Sequence, residues 1–226
     1  MLESNKASFI KDHNMPKGNV LHSFYSEETK RFYRLVEVPG DFPCLEISGI
    51  KMHCQGSGIK RSVNAMVASL KPVQGKVLDC CFGQGYAALE LSRQAGVEKV
   101  WSFEKDANVL EIARVNPSSA GVFENPKILV QNKPIEEALK EFPAGFFDAV
   151  FHDPPSIRIA GELYSQEFYN QLFKALRKGG KLFHYAGSPG KKSGKDYTKG
   201  IIERLKKAGF RKVLEVPNAL GLLAVK

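Results

Sequence analysis

The stretch Lys76-Val77-Leu78-Asp79-Cys80-Cys81-Phe82-Gly83-Gln84-Gly85-Tyr86 constrains this chain more than any other. It reads as a buried strand, a tight glycine turn and the start of a helix. Val77 and Leu78 are the apolar strand residues. Gly83 and Gly85 can take positive φ and let a ligand come close to the backbone. Ala87-Ala88-Leu89-Glu90-Leu91 is strong helix-forming sequence. A strand that feeds a helix N-terminus through glycines is how an open α/β sheet holds a nucleotide-like ligand.

The chain beyond this turn alternates strand and helix. Val97 to Glu104 reads as a strand, and Asp106 caps a helix from Ala107 to Val115. Lys127 to Val130 is a short strand and Ile135 to Lys140 a short helix. Phe147 to His152 is a strand. Ser165 caps a helix that runs to about Arg177 and is stopped by Gly179-Gly180. Lys181 to Tyr185 is a strand, and Tyr197 to Ala208 a helix ended by Gly209. Regular alternation of this kind predicts a mostly parallel sheet covered on both faces. The closely spaced strands Val213 to Val216 and Leu220 to Val225 predict an antiparallel finish.

Upstream, residues 1 to about 20 are polar and read as a loose arm. Thr29 to Val38 has strand-type residues, Pro39-Gly40-Asp41 marks a turn, and two short strands flank Ser48-Gly49. Ser62 to Leu70 carries apolar residues at helical spacing. The expected organisation is an arm and small β unit over residues 1–60, followed by an α/β domain over residues 61–226.

Asp79 decides between ligands. It ends the strand four residues before Gly83. A dinucleotide pyrophosphate is anionic, so an acid just upstream of its binding turn is unhelpful. A ligand with a cationic end would welcome it. Glu104, about twenty residues on at the end of the next strand, can accept both hydroxyls of a ribose. A second candidate site is His152-Asp153-Pro154-Pro155-Ser156, at the carboxyl end of a later strand, where an open sheet places substrate.

These residues carry a resemblance. Val77-Leu78-Asp79-Cys80-Cys81-Phe82-Gly83-Gln84-Gly85 resembles the first motif of class I methyltransferases that use S-adenosyl-L-methionine, and Phe103-Glu104-Lys105-Asp106 resembles their second. Residues 45 to 226 are similar to a group of archaeal methyltransferases of unassigned substrate. The resemblance implies a Rossmann-like α/β fold with a small N-terminal β-rich extension. It implies that Asp79, Cys81, Gly83, Gly85, Glu104, Lys105, Asn132 and Asp153 hold S-adenosyl-L-methionine. Asp153-Pro154-Pro155 resembles the Asp-Pro-Pro-aromatic signature of amino-group methyltransferases, so Asp153 and Pro154 are the expected catalytic pair. Their carboxylate and carbonyl would orient an acceptor amine. Ser156 departs from that signature, standing where the stacking aromatic would be. Ser156, Tyr164, Tyr185, Lys191 and Lys192 are the expected acceptor-binding residues.

Ala160-Gly161-Glu162-Leu163-Tyr164-Ser165-Gln166-Glu167-Phe168-Tyr169 supports a rival. It resembles the corresponding segment of spermidine synthase-like aminopropyltransferases, which share the fold and use decarboxylated S-adenosylmethionine. Their polyamine substrate needs several carboxylates. Here Asp153 and Glu162 are available, while Lys191, Lys192 and Lys195 on a later loop would repel a cation. The first expectation is therefore methyl transfer to nitrogen or oxygen. Aminopropyl transfer is the alternative, and a non-catalytic nucleic-acid-binding protein is the second alternative.

Charge bears on the acceptor. Residues 171–226 hold fourteen Lys and Arg against three Asp and Glu, although the whole chain carries only +9. A one-sided basic surface suits a polyanion such as RNA, which is the expected partner. A solvated lysine-rich face of the kind found in heat-adapted proteins is the other reading. Four cysteines, at 44, 54, 80 and 81, match no zinc spacing, so no metal is expected and the thiols are expected to be free. No apolar run is long enough for a bilayer and the N-terminus lacks a signal-peptide pattern, so a cytoplasmic protein is expected.

Overall fold

A computed structural model describes residues 18–53, 58–187 and 197–226. The chain opens with β1 (Val20–Ser26), β2 (Arg31–Val36), β3 (Cys44–Ile47) and β4 (Ile50–Lys51), paired in that order as an antiparallel sheet. Helix α1 (Ile59–Ser69) follows, burying Ile59, Val63, Met66 and Val67 on one face. Its first amides are capped from a distance: Asp41, in the turn before β3, accepts hydrogen bonds from the N–H groups of Ile59 (2.6 Å) and Lys60 (2.7 Å).

The second unit mostly alternates strand and helix. Its elements are β5 (Gly75–Asp79), α2 (Tyr86–Ser92), β6 (Val97–Glu104), α3 (Ala107–Val115), α4 (Ala120–Phe123), β7 (Ile128–Asn132), α5 (Ile135–Ala138), β8 (Phe147–His152), α6 (Gln166–Ala175), β9 (Leu176–Tyr185), α7 (Thr198–Ala208), β10 (Arg211–Val216) and β11 (Gly221–Val225). Seven strands form one sheet in the order β10-β11-β9-β8-β5-β6-β7. Strands β5 to β9 pair in parallel, and β11 lies antiparallel between β9 and β10. This is a Rossmann-like α/β fold with an N-terminal antiparallel sheet.

Alternation along β5 builds both core layers. Val77 faces α1 and α2, packed with Val67, Leu91 and Val100, whereas Leu78 faces α6, packed with Phe103, Val150 and Leu172. A third cluster joins the two sheets, with Tyr33, Leu35 and Leu45 packed against Val109 and Ile112 of α3. Strand order reverses between β5 and β8, because β6 and β7 extend one way and β8 and β9 the other. The carboxyl ends of β5 and β8 therefore flank the crevice where an open sheet binds its ligand.

Several elements differ from expectation, among them β1, α6 and the short α4, the last having no counterpart among the expected helices. Strand β1 was not predicted, since most of its residues are exposed at a sheet edge and leave little apolar signal. Helix α6 ends at Ala175, and β9 already begins at Leu176. Gly179-Gly180 thus kinks a strand, Gly179 taking φ 75°, instead of stopping a helix. Cys44, Cys80 and Cys81 are free thiols, and Cys54 lies outside the described residues. No helix among the described residues is long and apolar enough to cross a membrane.

Candidate active site

Asp79 ends β5 and is fully buried. Its register partner on β6, Ser102, donates a 2.5 Å hydrogen bond to Oδ2, while Oδ1 has no partner. Burial pushes this carboxyl up to about 6, despite the hydrogen bonds from Ser102 and the Cys81 backbone. The turn that follows uses its glycines differently. Gly85 takes φ 73° immediately before α2, and a Cβ there would lie 2.6 Å from the Phe82 ring. Gly83 takes φ 55° with nothing within 4 Å of a Cβ, so it borders open space.

The turn is latched from below. Gln84 is buried, accepting from Asn116 Nδ2 (2.9 Å) on its side chain and from Ser119 Oγ (2.6 Å) on its backbone carbonyl. Asn116 Nδ2 also donates to the Tyr86 hydroxyl, which donates to the Pro43 carbonyl beside β3. The antiparallel sheet is thereby tied to the glycine turn.

Glu104, at the end of β6, accepts the Gly83 N–H (3.0 Å) with one oxygen and the Asp106 N–H (3.1 Å) with the other. Burial outweighs these bonds and pushes its carboxyl up to about 7. Each oxygen keeps a further lone pair for a ligand. Asn132, opposite Glu104 in the register with β7, donates from Nδ2 to the Glu104 carbonyl (2.7 Å). Lys105 lies at the surface and pairs with Glu162 (2.9 Å).

Asp153 follows β8 directly. Burial first and the charge of Asp79 second push its carboxyl up to about 7. Cys81 sits among these acids: burial, then Cys80, Glu104, Asp79 and Asp153, raise its thiol well above the ordinary range. Among the described residues no ion pair neutralises Asp79, Glu104 or Asp153. Among the described residues the cleft is thus a set of interacting carboxylates without a compensating cation, an arrangement that can take a positively charged ligand.

The acceptor-side residues part company. Pro154 is buried beside Asp153, and Ser156 is exposed. Tyr164 is a buried residue whose hydroxyl donates to the Pro155 carbonyl (2.9 Å), so its ring braces the loop from beneath. Tyr185 ends β9, half-buried, opposite Gly221. Lys191 and Lys192 lie outside the described residues. Ser102, Asn116 and Ser119 were not foreseen. Ser102 carries a weak signal, a serine between the apolar Trp101 and Phe103, but only the strand register shows that it faces Asp79.

Fold and site together define an open α/β protein with an acid-lined cleft at its topological switch point. Residues 58–218 match the family model of the spermine/spermidine synthase domain, and the chain belongs to that family. It is 42% identical over 222 residues to an uncharacterized protein of Methanocaldococcus jannaschii, covering 96% of this chain and 73% of that one. It is 33% identical over 178 residues to a polyamine aminopropyltransferase of Mycobacterium tuberculosis, covering 74% of this chain but only 32% of the relative. Among solved structures it resembles a spermidine synthase in complex with the transition-state analogue AdoDATO (TM-score 0.71, 22% identity, 92% of this chain and 73% of that one). It also resembles the Thermotoga maritima spermidine synthase (TM-score 0.67, 21% identity, 91% and 71%).

These matches correct the expectation of a methyltransferase using S-adenosyl-L-methionine. Both the family model and the mycobacterial relative lie on the polyamine synthase side. The physical reason for the misreading is that buried acids such as Asp79 and Glu104 suit any cationic ligand with a diol, a chemistry shared by the methyl donor and its decarboxylated counterpart. The expectation of RNA is corrected with it. It rested on net charge and on Asp-Pro-Pro, and neither identifies a substrate.

Proposed function

We propose that the protein is an aminopropyltransferase, moving the 3-aminopropyl group of decarboxylated S-adenosylmethionine onto an amine. One observation carries this reading: the buried carboxylate of Asp79 acts electrostatically on both Glu104 and Asp153 in a spermine/spermidine synthase domain, and no ion pair among the described residues neutralises any of the three. A donor that bears a sulfonium and an ammonium, and has lost its own carboxylate, complements such a site. The unpartnered Oδ1 of Asp79 fits the same description.

In this reading Glu104 takes the ribose hydroxyls with the lone pairs left over from Gly83 and Asp106. Asn132 borders the base, and Gly83 leaves room for the donor beside the backbone. Lys105 stays engaged with Glu162 at the rim. The acceptor amine enters beside Tyr185 and over Asp153, with the Pro154 carbonyl as a further acceptor for its N–H. Its nitrogen lone pair forms the new C–N bond at the propyl carbon attached to sulfur. The C–S bond breaks, and its electron pair neutralises the sulfonium to give methylthioadenosine. The nitrogen then loses one proton to Asp153. A carboxyl pushed up to about 7 suits that transfer near neutral pH.

The test is to supply decarboxylated S-adenosylmethionine with a panel of amines, and S-adenosylmethionine in parallel. Methylthioadenosine and an aminopropylated amine are followed by mass spectrometry. Products are expected from the decarboxylated donor alone, and Asp153→Asn is expected to bind donor but not turn over. Methylated product from S-adenosylmethionine, or no turnover of the decarboxylated donor with any amine, overturns the reading.

A further inference from the structure

Residues 152–164 leave the end of β8 and fold back against it. They contain no regular element beyond a short 3-10 turn at Gly161–Tyr164. Pro154 and Pro155 have no N–H, so the β8 ladder cannot continue through them. Two side chains take over, in opposite directions. His152, at the start, meets the Leu163 carbonyl at the end through Nε2 (3.2 Å). Tyr164, at the end, donates from its hydroxyl to the Pro155 carbonyl near the start (2.9 Å). Since its partner is a carbonyl, Nε2 carries the His152 proton and Nδ1 is bare, buried and without a partner.

A rigid floor supports this brace. His184, in register with His152 on β9, meets it edge-on at 4.6 Å between ring centres and lies 5.5 Å from the Tyr164 ring. His184 donates from Nδ1 to the Tyr185 carbonyl (2.7 Å) and so accepts from the Tyr169 hydroxyl at Nε2 (2.9 Å). Phe168 closes the side at 5.2 Å from His152. Every ring nitrogen and hydroxyl that could move the loop is thereby fixed, except the bare Nδ1.

We propose that His152 and Tyr164 are positioning residues, a reciprocal pair that fixes Asp153 in the geometry at which it receives the proton of the attacking amine. The role assigned to Asp153 rests on the aminopropyltransferase reading, but the brace itself does not. A carboxylate misplaced by about 1 Å costs up to ~100-fold in rate. Once the brace is cut, more water reaches the half-buried Asp153 and returns its carboxyl toward the ordinary range. Asp79, Cys81 and Tyr164 are the titratable neighbours that act on this region.

The experiment compares wild type with Tyr164→Phe, which keeps the ring and deletes the hydroxyl, and with His152→Leu and His152→Gln. Tyr164→Phe and His152→Leu are expected to lower kcat by roughly 10- to 100-fold with donor Kd within about twofold. The acid limb of the kcat/KM profile should move to lower pH. His152→Gln keeps an N–H donor and is expected to recover most of the loss. A second readout is independent of turnover: the Asp153 carboxyl is titrated by carbon NMR, and its pKa should fall in Tyr164→Phe while other carboxyls stay put. An unmoved Asp153 titration in a folded Tyr164→Phe protein overturns the brace. A wild type that does not turn over the decarboxylated donor, with the titration shifted as expected, overturns only the reaction assigned to it.

Discussion

Ser102 and Asp79 share a 2.5 Å hydrogen bond that occupies one carboxylate oxygen and leaves the other, equally buried, without a partner. A buried half-satisfied carboxylate is costly unless a ligand completes it. The folded carboxyl holds its proton up to about 6, against an ordinary 3.8. The stability associated with that proton is therefore complete below pH ~4 and is lost as pH rises through 6. By pH 8 the loss is on the order of 3 kcal/mol. Asp79→Asn keeps an acceptor for Ser102 and removes the charge. The empty variant is expected to melt about 5 °C or more above wild type at pH 8, with the gap closing toward pH 4. Thermal denaturation across that range checks it, and equal melting at pH 8 would contradict it.

Donor affinity should follow the same protons. A cationic donor prefers Asp79, Glu104 and Asp153 ionised, and these carboxyls are pushed up to about 6, 7 and 7. Because they act on one another, they titrate as a group. Binding of decarboxylated S-adenosylmethionine is expected to tighten at least tenfold between pH 6 and pH 8 and then to level. Calorimetry in buffers of different ionisation enthalpy should show proton release at pH 6.5 and almost none at pH 8.5. Affinity independent of pH would show that the acids are already ionised in the empty site.

The elements of the cleft are legible because their signals are local. The strand before Asp79, the glycine turn, Glu104 at the end of β6 and the Asp106 and Ser165 caps each follow from a few adjacent residues, and all are present. Contacts set by register or by the packing of distant segments are not legible. Ser102 meets Asp79 only because β5 and β6 align as they do. Tyr164 reads as an acceptor-binding residue, yet its hydroxyl is committed to Pro155, a contact that depends on how residues 152–164 close. The methyltransferase expectation failed for a chemical reason: acids suited to a cationic nucleoside ligand do not report which group such a ligand would give up. Long-range charge misled as well, since lysines late in the chain say nothing about the acids of the cleft.

Gly83 and Gly85 should fail in different ways. At Gly85 a methyl group would meet the Phe82 ring at 2.6 Å and Val122 at 3.1 Å, on a backbone with φ 73°. Gly85→Ala is expected to cost several kcal/mol, combining a left-handed residue with an overpacked core. At Gly83 nothing lies within 4 Å, so Gly83→Ala should cost only the left-handed conformation, ~1 kcal/mol, or about 2–4 °C in Tm. Its methyl group, however, projects into the space proposed for the donor, and donor Kd should rise more than tenfold. Thermal melts and calorimetry on the two variants separate the roles. Wild-type donor affinity in Gly83→Ala would move the donor away from the turn.

Tyr33 connects the antiparallel sheet to the acid-lined cleft through one short bond. Its buried hydroxyl donates to Asp106 Oδ2 at 2.6 Å, Asp106 Oδ1 caps α3 by accepting the Asn108 N–H, and the Asp106 N–H holds Glu104. Tyr33→Phe removes a hydrogen bond to a charged acceptor at constant ring volume, a loss of ~1.5–3 kcal/mol. For a chain of this length that is a fall of roughly 3–12 °C in Tm. Donor affinity should change less than about threefold, because the Gly83 N–H still anchors the other oxygen of Glu104 and the cap bond to Asn108 keeps Asp106 in place. Melting curves and donor titrations on this variant decide the matter. A tenfold loss of affinity at unchanged Tm would show that the antiparallel sheet sets the position of Glu104 directly.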